Sequence, residues 1–500
     1  MRKTFLKKLT AIMLVAMMAV GMLGVAAAAD VTIDSNDEGT HTYGAYQIFT
    51  GTLSTDESGK QVLTEISWGN GVNVDNLKAA LKTWTDSDNT TPFATLTDDA
   101  KAAAYAEVMG NVEDADALAE LIGKHVTTAT STNASALTID AAGYYLIKDT
   151  AAVTGYGAAT AFILKVIDPD TNITVEVKNA LPTLEKKIVD GENLVDSTTV
   201  QVGEVVNFQL KATVASDVAD YSVYKMEFRD AITGSLSINT DSVDVKVGDT
   251  SIKYKVTVNA TATTLNVTIV DLKALGLTID ASTVVTVTYN ATVTAVTQSG
   301  EVGSNTADLV YSNDPTWEGT DSNGDGTPDN PQDTPTSDTP DDDTKVYSFK
   351  IKINKKDESN ANLAGAILVI QNEADKYLKV DGANYTWVDS IDDATTYTSD
   401  DTDAVITING LDAGTYTVVE KSAPTGYNKA DDQDVTLSAE APEGETLSYE
   451  AEVTVVNEKG SSLPSTGGIG TTILYIVGGI LVVGAGVTLV VRKRMQNEAE

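Results

Sequence analysis

Tyr347-Ser348-Phe349-Lys350-Ile351-Lys352-Ile353-Asn354-Lys355-Lys356 reads as a β-strand with a contradiction at its end. Alternate side chains of a strand point to opposite faces. Tyr347, Phe349, Ile351 and Ile353 therefore share an apolar face, while Lys350, Lys352, Asn354 and Lys356 share a polar one. Lys355 continues the apolar row. A lysine aimed into a core is almost never tolerated without a partner. The same alternation places Glu420 on the face of Tyr416 and Val418, and Asn457 on the face of Ala451, Val453 and Val455. One Lys, one Glu and one Asn thus point inward from the first, a late and the last strand of one predicted sandwich.

A second trio lies upstream. Lys186 sits between Leu184 and Ile188, and Asp230 continues the row Tyr224, Met226, Phe228. Asn313 ends the row Ala307, Leu309, Tyr311, and Asn305 lies on that face too. Any one of these residues reads as a strand-end group reaching solvent; two complete trios do not. The chemistry that needs this trio is amide-bond formation between Lys and Asn. Burial disfavours the ammonium and yields a nucleophilic amine. It also favours the protonated acid, which can polarise the Asn carbonyl and shuttle protons. Asp230 and Glu420 are the assisting acids in this reading. The competing one is a buried ion pair with an Asn partner, often costly compared with an apolar core.

Composition fits a strand-rich exported protein. The aromatic share is only 6%, while Val, Thr and Ala are plentiful, a bias towards strands. A formal charge of −38 excludes nucleic acid as a partner, because its phosphates would be repelled. The absence of cysteine removes disulfides, thiol nucleophiles and Cys-ligated zinc. His41 and His125 are the only histidines, far apart in sequence and in no recognisable catalytic setting. Both are expected to be surface or partly buried residues.

Six segments follow. Residues 1–29 carry Arg2, Lys3, Lys7 and Lys8, an apolar stretch and a run of alanines, the parts of a secretory signal peptide. Residues 30–180 form a β domain with short helices: 41–50 and 142–148 read as strands. Val74, Leu77, Ala80, Leu81 and Trp84 share one helical face, as do Leu118, Leu121 and Ile122. Residues 181–315 alternate as an antiparallel sandwich, 316–344 form an acidic linker or long loop, and 345–460 form a second sandwich. Residues 461–500 hold Leu463-Pro464-Ser465-Thr466-Gly467, an apolar run from Thr471 to Val491 long enough to span a bilayer, and Arg492-Lys493-Arg494. The fold class is mainly β, with tandem immunoglobulin-like sandwiches and a C-terminal transmembrane helix. Within the linker, Asp321, Asn323, Asp325 and Asp329 place oxygens at spacings a calcium loop uses. The pattern lacks the bidentate Glu of an EF-hand, and a flexible polar loop is the preferred reading, with no cofactor required.

Motif, span and basic tail in this order resemble the cell-wall sorting signal of Gram-positive surface proteins. That resemblance implies that a sortase cuts between Thr466 and Gly467 and transfers the Thr carbonyl to an amine. The stretches 351–357, 363–366 and 414–427 resemble a collagen-adhesin B-type domain. Pro182-Thr-Leu-Glu-Lys186-Lys and Tyr311-Ser-Asn313-Asp-Pro315 resemble the middle domain of sortase-assembled major pilins. The resemblance implies a structural shaft subunit rather than an enzyme, with bonds Lys186–Asn313 and Lys355–Asn457. Such pilins carry a linking lysine near the end of the first domain, and Lys178 stands at the matching place, after Val177 where the usual motif has Pro. The implied partners are identical subunits, pilus-specific and housekeeping sortases, peptidoglycan, minor tip or basal pilins and a host surface ligand. The implied location is the cell wall and the fimbrium. The alternative is a monomeric wall-anchored adhesin holding a host or bacterial ligand.

Overall fold

The computed structural model describes residues 28–57, 59, 61–86, 88–295, 300–324, 327–439, 447–461 and 469–497. Most of the expected signal peptide and the whole of Leu463 to Gly467 therefore lie outside the described residues. The chain divides into two compact units, Met1–Ser348 and Phe349–Glu500.

The first part of unit 1 is built on the strand Tyr43–Thr55, paired antiparallel with Gln61–Trp68 and Gly143–Asp149. Its alternation sorts two cores. Tyr43 and Ala45 join a core shared with a small sheet in which Ala29–Asp34 lies between Ala136–Ile139 and Ile173–Glu176. Tyr46 and Ile48 pack instead against three helices. Val74–Thr83 starts where Asn73 accepts the Asn76 amide and buries Leu77 and Leu81. Ala115–Gly123 starts at Asp114, which accepts the Ala117 amide, and buries Leu118 and Ile122. The third, Ala102–Met109, has no side-chain cap at its start. Ala29, the last residue of the expected leader, is already buried in the first strand.

The second part of unit 1 is a two-sheet sandwich. Thr183–Asp190, Val205–Thr213 and Val284–Val293 lie side by side in one sheet. Met226–Ile232 and Gly300–Ser312 pair antiparallel in the other. Inward positions alternate without interruption along Val284–Val293, burying Val285, Val287, Tyr289, Ala291 and Val293. The expected acidic linker 316–344 is not a plain linker. Thr336–Asp338 pairs with the end of Gly300–Ser312, and Asp342 begins a strand whose residues to Ser348 pair with Gly300–Ala307. The apparent loop composition misled because these short edge pairings need few apolar residues.

In unit 2, the part of strand Asp342–Asp357 from Phe349 onward pairs antiparallel with Val405–Leu411 and parallel with Glu450–Asn457. A second sheet holds Ile367–Asn372, Gly414–Ser422 and Gln433–Leu437. Phe349, Ile351, Ile353, Leu368, Ile370, Val418 and Val455 fill the core between them. The helix Ile469–Asn497 follows. Within Gly470–Met495 an 18-residue window reaches a mean hydropathy of 2.5, and the helix is long and apolar enough to cross a membrane.

Candidate functional site

Both contradictory lysines are fully buried. Lys355 is 0% exposed, together with Glu420 at 1% and Asn457 at 0%. Parallel pairing sets Lys355 beside Val455 and Asp357 beside Asn457, so Lys355 and Asn457 are diagonal neighbours on the inward face. The Lys355 amine donates to the carbonyls of Val455 at 3.0 Å and Lys356 at 3.3 Å. A neutral amine has two N–H groups and a lone pair, and these two bonds leave the lone pair free. Burial lowers the Lys355 pKa against the opposing charge of Glu420. Glu420 Oε2 accepts from Asn457 Nδ2 at 2.7 Å and from the Ala430 amide at 2.7 Å. Glu420 Oε1 and Asn457 Oδ1 are buried without a hydrogen-bond partner.

In unit 1 the acid holds the amine instead. Lys186, 0% exposed, donates from Nζ to Asp230 Oδ2 and lies 3.4 Å from the Tyr289 hydroxyl. Tyr289 donates to Asp230 Oδ1 at 2.8 Å and accepts from Asn305 Nδ2. Phe208 and Tyr289 present their ring faces to the amine, at 5.4 and 5.7 Å from the ring centroids. Burial lowers the Lys186 pKa although Asp230 and Asp342 oppose it, and burial raises that of Asp230 although Lys186 and Tyr289 oppose it. Both directions move the shared proton from the amine towards the acid, which a nucleophilic lysine requires.

Here one expectation is corrected. Asn313 is buried, but its amide donates to the Val153 carbonyl at 2.9 Å and the Ser337 hydroxyl at 2.6 Å. Strand register explains this. Asp230 pairs with Ala307 and Ile232 with Asn305. Asn305 is therefore roughly 7 Å along the strand from the position opposite the acid, and Asn313 roughly 20 Å away. Asn305, which shares the same inward face, is the carboxamide that the Tyr289 hydroxyl links to Asp230. Alternation finds the face, but not the register. Tyr289 was overlooked in the sequence; its signal is a lone hydroxyl in an otherwise apolar inward row, Val285, Val287, Ala291.

Lys178 lies just past the strand Ile173–Glu176 with half its side chain exposed, its amine 2.6 Å from Asp116 Oδ1. Of the suggested calcium residues, Asp325 lies outside the described residues. Asp321 Oδ1 accepts the Gly324 amide at 2.7 Å, and Asp329 Oδ2 accepts the Ser322 amide at 3.1 Å. Among the described residues no group of three or more acids, histidines or cysteines is arranged to hold a metal ion. His41, expected to be a surface or partly buried residue, is buried between Asp37 and Asp149.

Comparison with known families places unit 2. Residues 349–453 match the SpaA family, a prealbumin-like fold domain, and residues 455–497 match the LPXTG cell wall anchor motif. This is a cell-wall-anchored surface protein with a SpaA-type domain. The SpaA-type domain contains Lys355 and Glu420, while Asn457 falls within the anchor match. No curated protein matches the chain. Among solved structures, it is similar to the three-domain backbone pilin of serotype M6 Streptococcus pyogenes, at 19% identity over 83% of this chain and 81% of that one, with a TM-score of 0.49. It is also similar to the full-length major pilin RrgB of Streptococcus pneumoniae, at 16% identity over 89% and 96%, TM-score 0.46. A third is the pilus 2b backbone protein of group B streptococcus, at 25% identity over 56% and 99%, TM-score 0.42.

Proposed function

We propose that this protein is the shaft subunit of a covalently polymerised pilus, stiffened by two internal Lys–Asn amide bonds. The observation that carries the reading is the pair of buried Lys–acid–Asn clusters in a wall-anchored chain without cysteine. In each, the lysine Nζ attacks the Asn Cγ, forming an Nζ–Cγ bond and breaking Cγ–Nδ2. One Nζ proton passes through the acid to Nδ2, which departs as ammonia. In unit 2, Glu420 already touches Asn457 Nδ2, so no hydroxyl is needed on the leaving-group side. In unit 1, Tyr289 bridges Asp230 and Asn305 Nδ2 and would relay the proton. Lys355 lies on the first strand of its sandwich and Asn457 on the last, so that bond would carry tension past the intervening fold.

Between subunits, a sortase would break the Thr466–Gly467 amide and join the Thr466 carbonyl to Lys178 Nζ of the next copy, releasing the Gly467 amine. Lys178 supports this role by its exposure and its place at the end of the first part of the chain. The last subunit would pass to peptidoglycan. Conversion of Lys178 to Arg (K178R) should abolish the high-mass ladder in wall extracts while leaving the monomer folded. An unchanged ladder would refute Lys178 as the link, and a wild type with no ladder at all would favour a monomeric adhesin.

A further inference from the structure

The crosslinking chemistry leaves one buried charge cluster without a task. His41 lies between two carboxylates, its Nε2 2.8 Å from Asp37 Oδ1 and its Nδ1 3.1 Å from Asp149 Oδ1. All three side chains are almost completely buried, at 3%, 0% and 4% exposure. A ring nitrogen facing a carboxylate must donate, and only the imidazolium donates from both nitrogens. Burial works against that charge, but the bonds and charges of Asp149 and Asp37 outweigh it and raise the His41 pKa to about 9. Tyr43 stacks on the ring at 5.0 Å, its own phenol held neutral by burial. Asp37 and Asp149 are thus the charged groups that face the imidazole.

The remaining oxygens of both carboxylates lead to one place. Asp149 Oδ2 accepts the Thr160 amide at 2.9 Å, and the Thr160 hydroxyl accepts the Lys178 amide at 2.9 Å. Asp37 Oδ2 accepts from Asn179 Nδ2 at 2.8 Å. The chain of bonds therefore leaves Lys178, passes through Thr160, Asp149, His41 and Asp37, and returns at Asn179. It closes on the dipeptide that carries the exposed amine. It does so where the sheet no longer holds the chain, since the strand Ile173–Glu176 has ended. Beyond it, the Ala161 amide to the Lys178 carbonyl, 2.8 Å, is the further main-chain contact of this lysine.

We propose that His41 is a positioning residue for subunit joining: as the charged centre of this ring it fixes the Lys178–Asn179 backbone, so that the amine alone searches for the acyl carbon. The inference rests on reading Lys178 as the linking lysine. Fixing the backbone removes conformations that would otherwise be lost in the transition state. A neutral imidazole keeps one donor only, so one arm of the ring opens and the dipeptide is held less tightly, by its bonds to the Ala161 and Ala158 main chain and the remaining arm.

The test uses the whole ectodomain and amide hydrogen exchange, which requires no sortase. At neutral pH, H41Q should lose protection at the Thr160 and Lys178 amides by roughly tenfold or more, the effect of losing a hydrogen bond to a charged group, while amides in Val284–Val293 stay as protected as before. In the wild type the same two amides should lose protection, after correction for intrinsic rates, as pH rises through about 9. H41Q should also lower the rate of coupling to a sortase-loaded LPSTG donor at saturation, and the variant's coupling should lack the fall that the wild type shows above that pH. Unchanged protection in H41Q, and across that pH in the wild type, would overturn the proposal. Should H41Q not fold, the wild-type titration decides alone. If K178R still polymerises, the linking assignment fails, whereas the exchange result reports on the ring independently.

Discussion

Replacing Asn305 by Ala tests the strand register and the chemistry together. Closing a bond between Lys186 and Asn305 ties a loop of roughly 120 residues, for which loop-closure entropy gives about 5 kcal/mol of stabilisation. For a unit of this size, each kcal/mol moves the melting temperature by roughly 2–4 °C, so N305A should melt roughly 10–20 °C lower. The direct assay is intact mass of the ectodomain. Wild-type protein should be lighter than its polypeptide by two ammonia molecules, N305A by one, and N313A still by two. Asn313 donates to the Val153 carbonyl and the Ser337 hydroxyl, so N313A should cost only about 1–3 kcal/mol by stranding buried acceptors. A deficit of one ammonia in N313A and two in N305A would refute the register argument. A wild type at full polypeptide mass would refute both bonds.

Three further outcomes are expected. Y289F keeps the ring stacked on Phe208 but removes the hydroxyl between Asp230 and Asn305, so bond formation in unit 1 should slow roughly 100-fold or more and purified protein should retain an unlinked population by mass. E420A should block the bond in unit 2 alone, leaving a deficit of one ammonia, and should destabilise that unit by about 1–3 kcal/mol because Asn457 loses one of its two acceptors and the Ala430 amide loses its acceptor. His41, raised from 6.5 to about 9, contributes about 3 kcal/mol that is fully present below pH 6.5 and lost as pH rises through 9. Urea unfolding of wild type should weaken over that window, and that of H41Q should not.

The faces of the strands were legible and their registers were not. Period-two alternation puts Lys186, Asp230, Lys355, Glu420 and Asn457 inside, because a strand has only two faces and an apolar row identifies the inner one. It says nothing about sliding a strand along its neighbour, and Asn305 and Asn313 are indistinguishable by face. Only the pairing of Asp230 with Ala307 separates them. The helix Ala102–Met109 escaped because an alanine-rich turn without a cap carries little amphipathic pattern. Residues 336–338 and 342–344 escaped because acidic and Thr-rich composition imitates a loop, although their backbone completes a sheet. His41 escaped for a different reason. Asp37 lies four residues from it, but Asp149 comes from a distant strand, and the fold alone brings them together.

The two clusters solve one problem with acids of different length. Glu420 spans the gap to the carboxamide directly, and its amine is held by main-chain carbonyls. Asp230, one methylene shorter, is occupied by its amine, and a tyrosine hydroxyl completes the path to the carboxamide. In both, the carboxamide oxygen is buried without a donor, a condition that costs about 1–3 kcal/mol while it lasts. A donor brought to that oxygen would satisfy it and also polarise the carbonyl carbon for attack, so in the reading proposed above the strain of the unlinked state points along the reaction. The cost of hiding the lysine would end once it had become an amide, which neither titrates nor needs a counter-charge. Two lysines hidden in apolar interiors, each with an acid and a carboxamide in its cluster, are the reactants that the proposed crosslinking would consume.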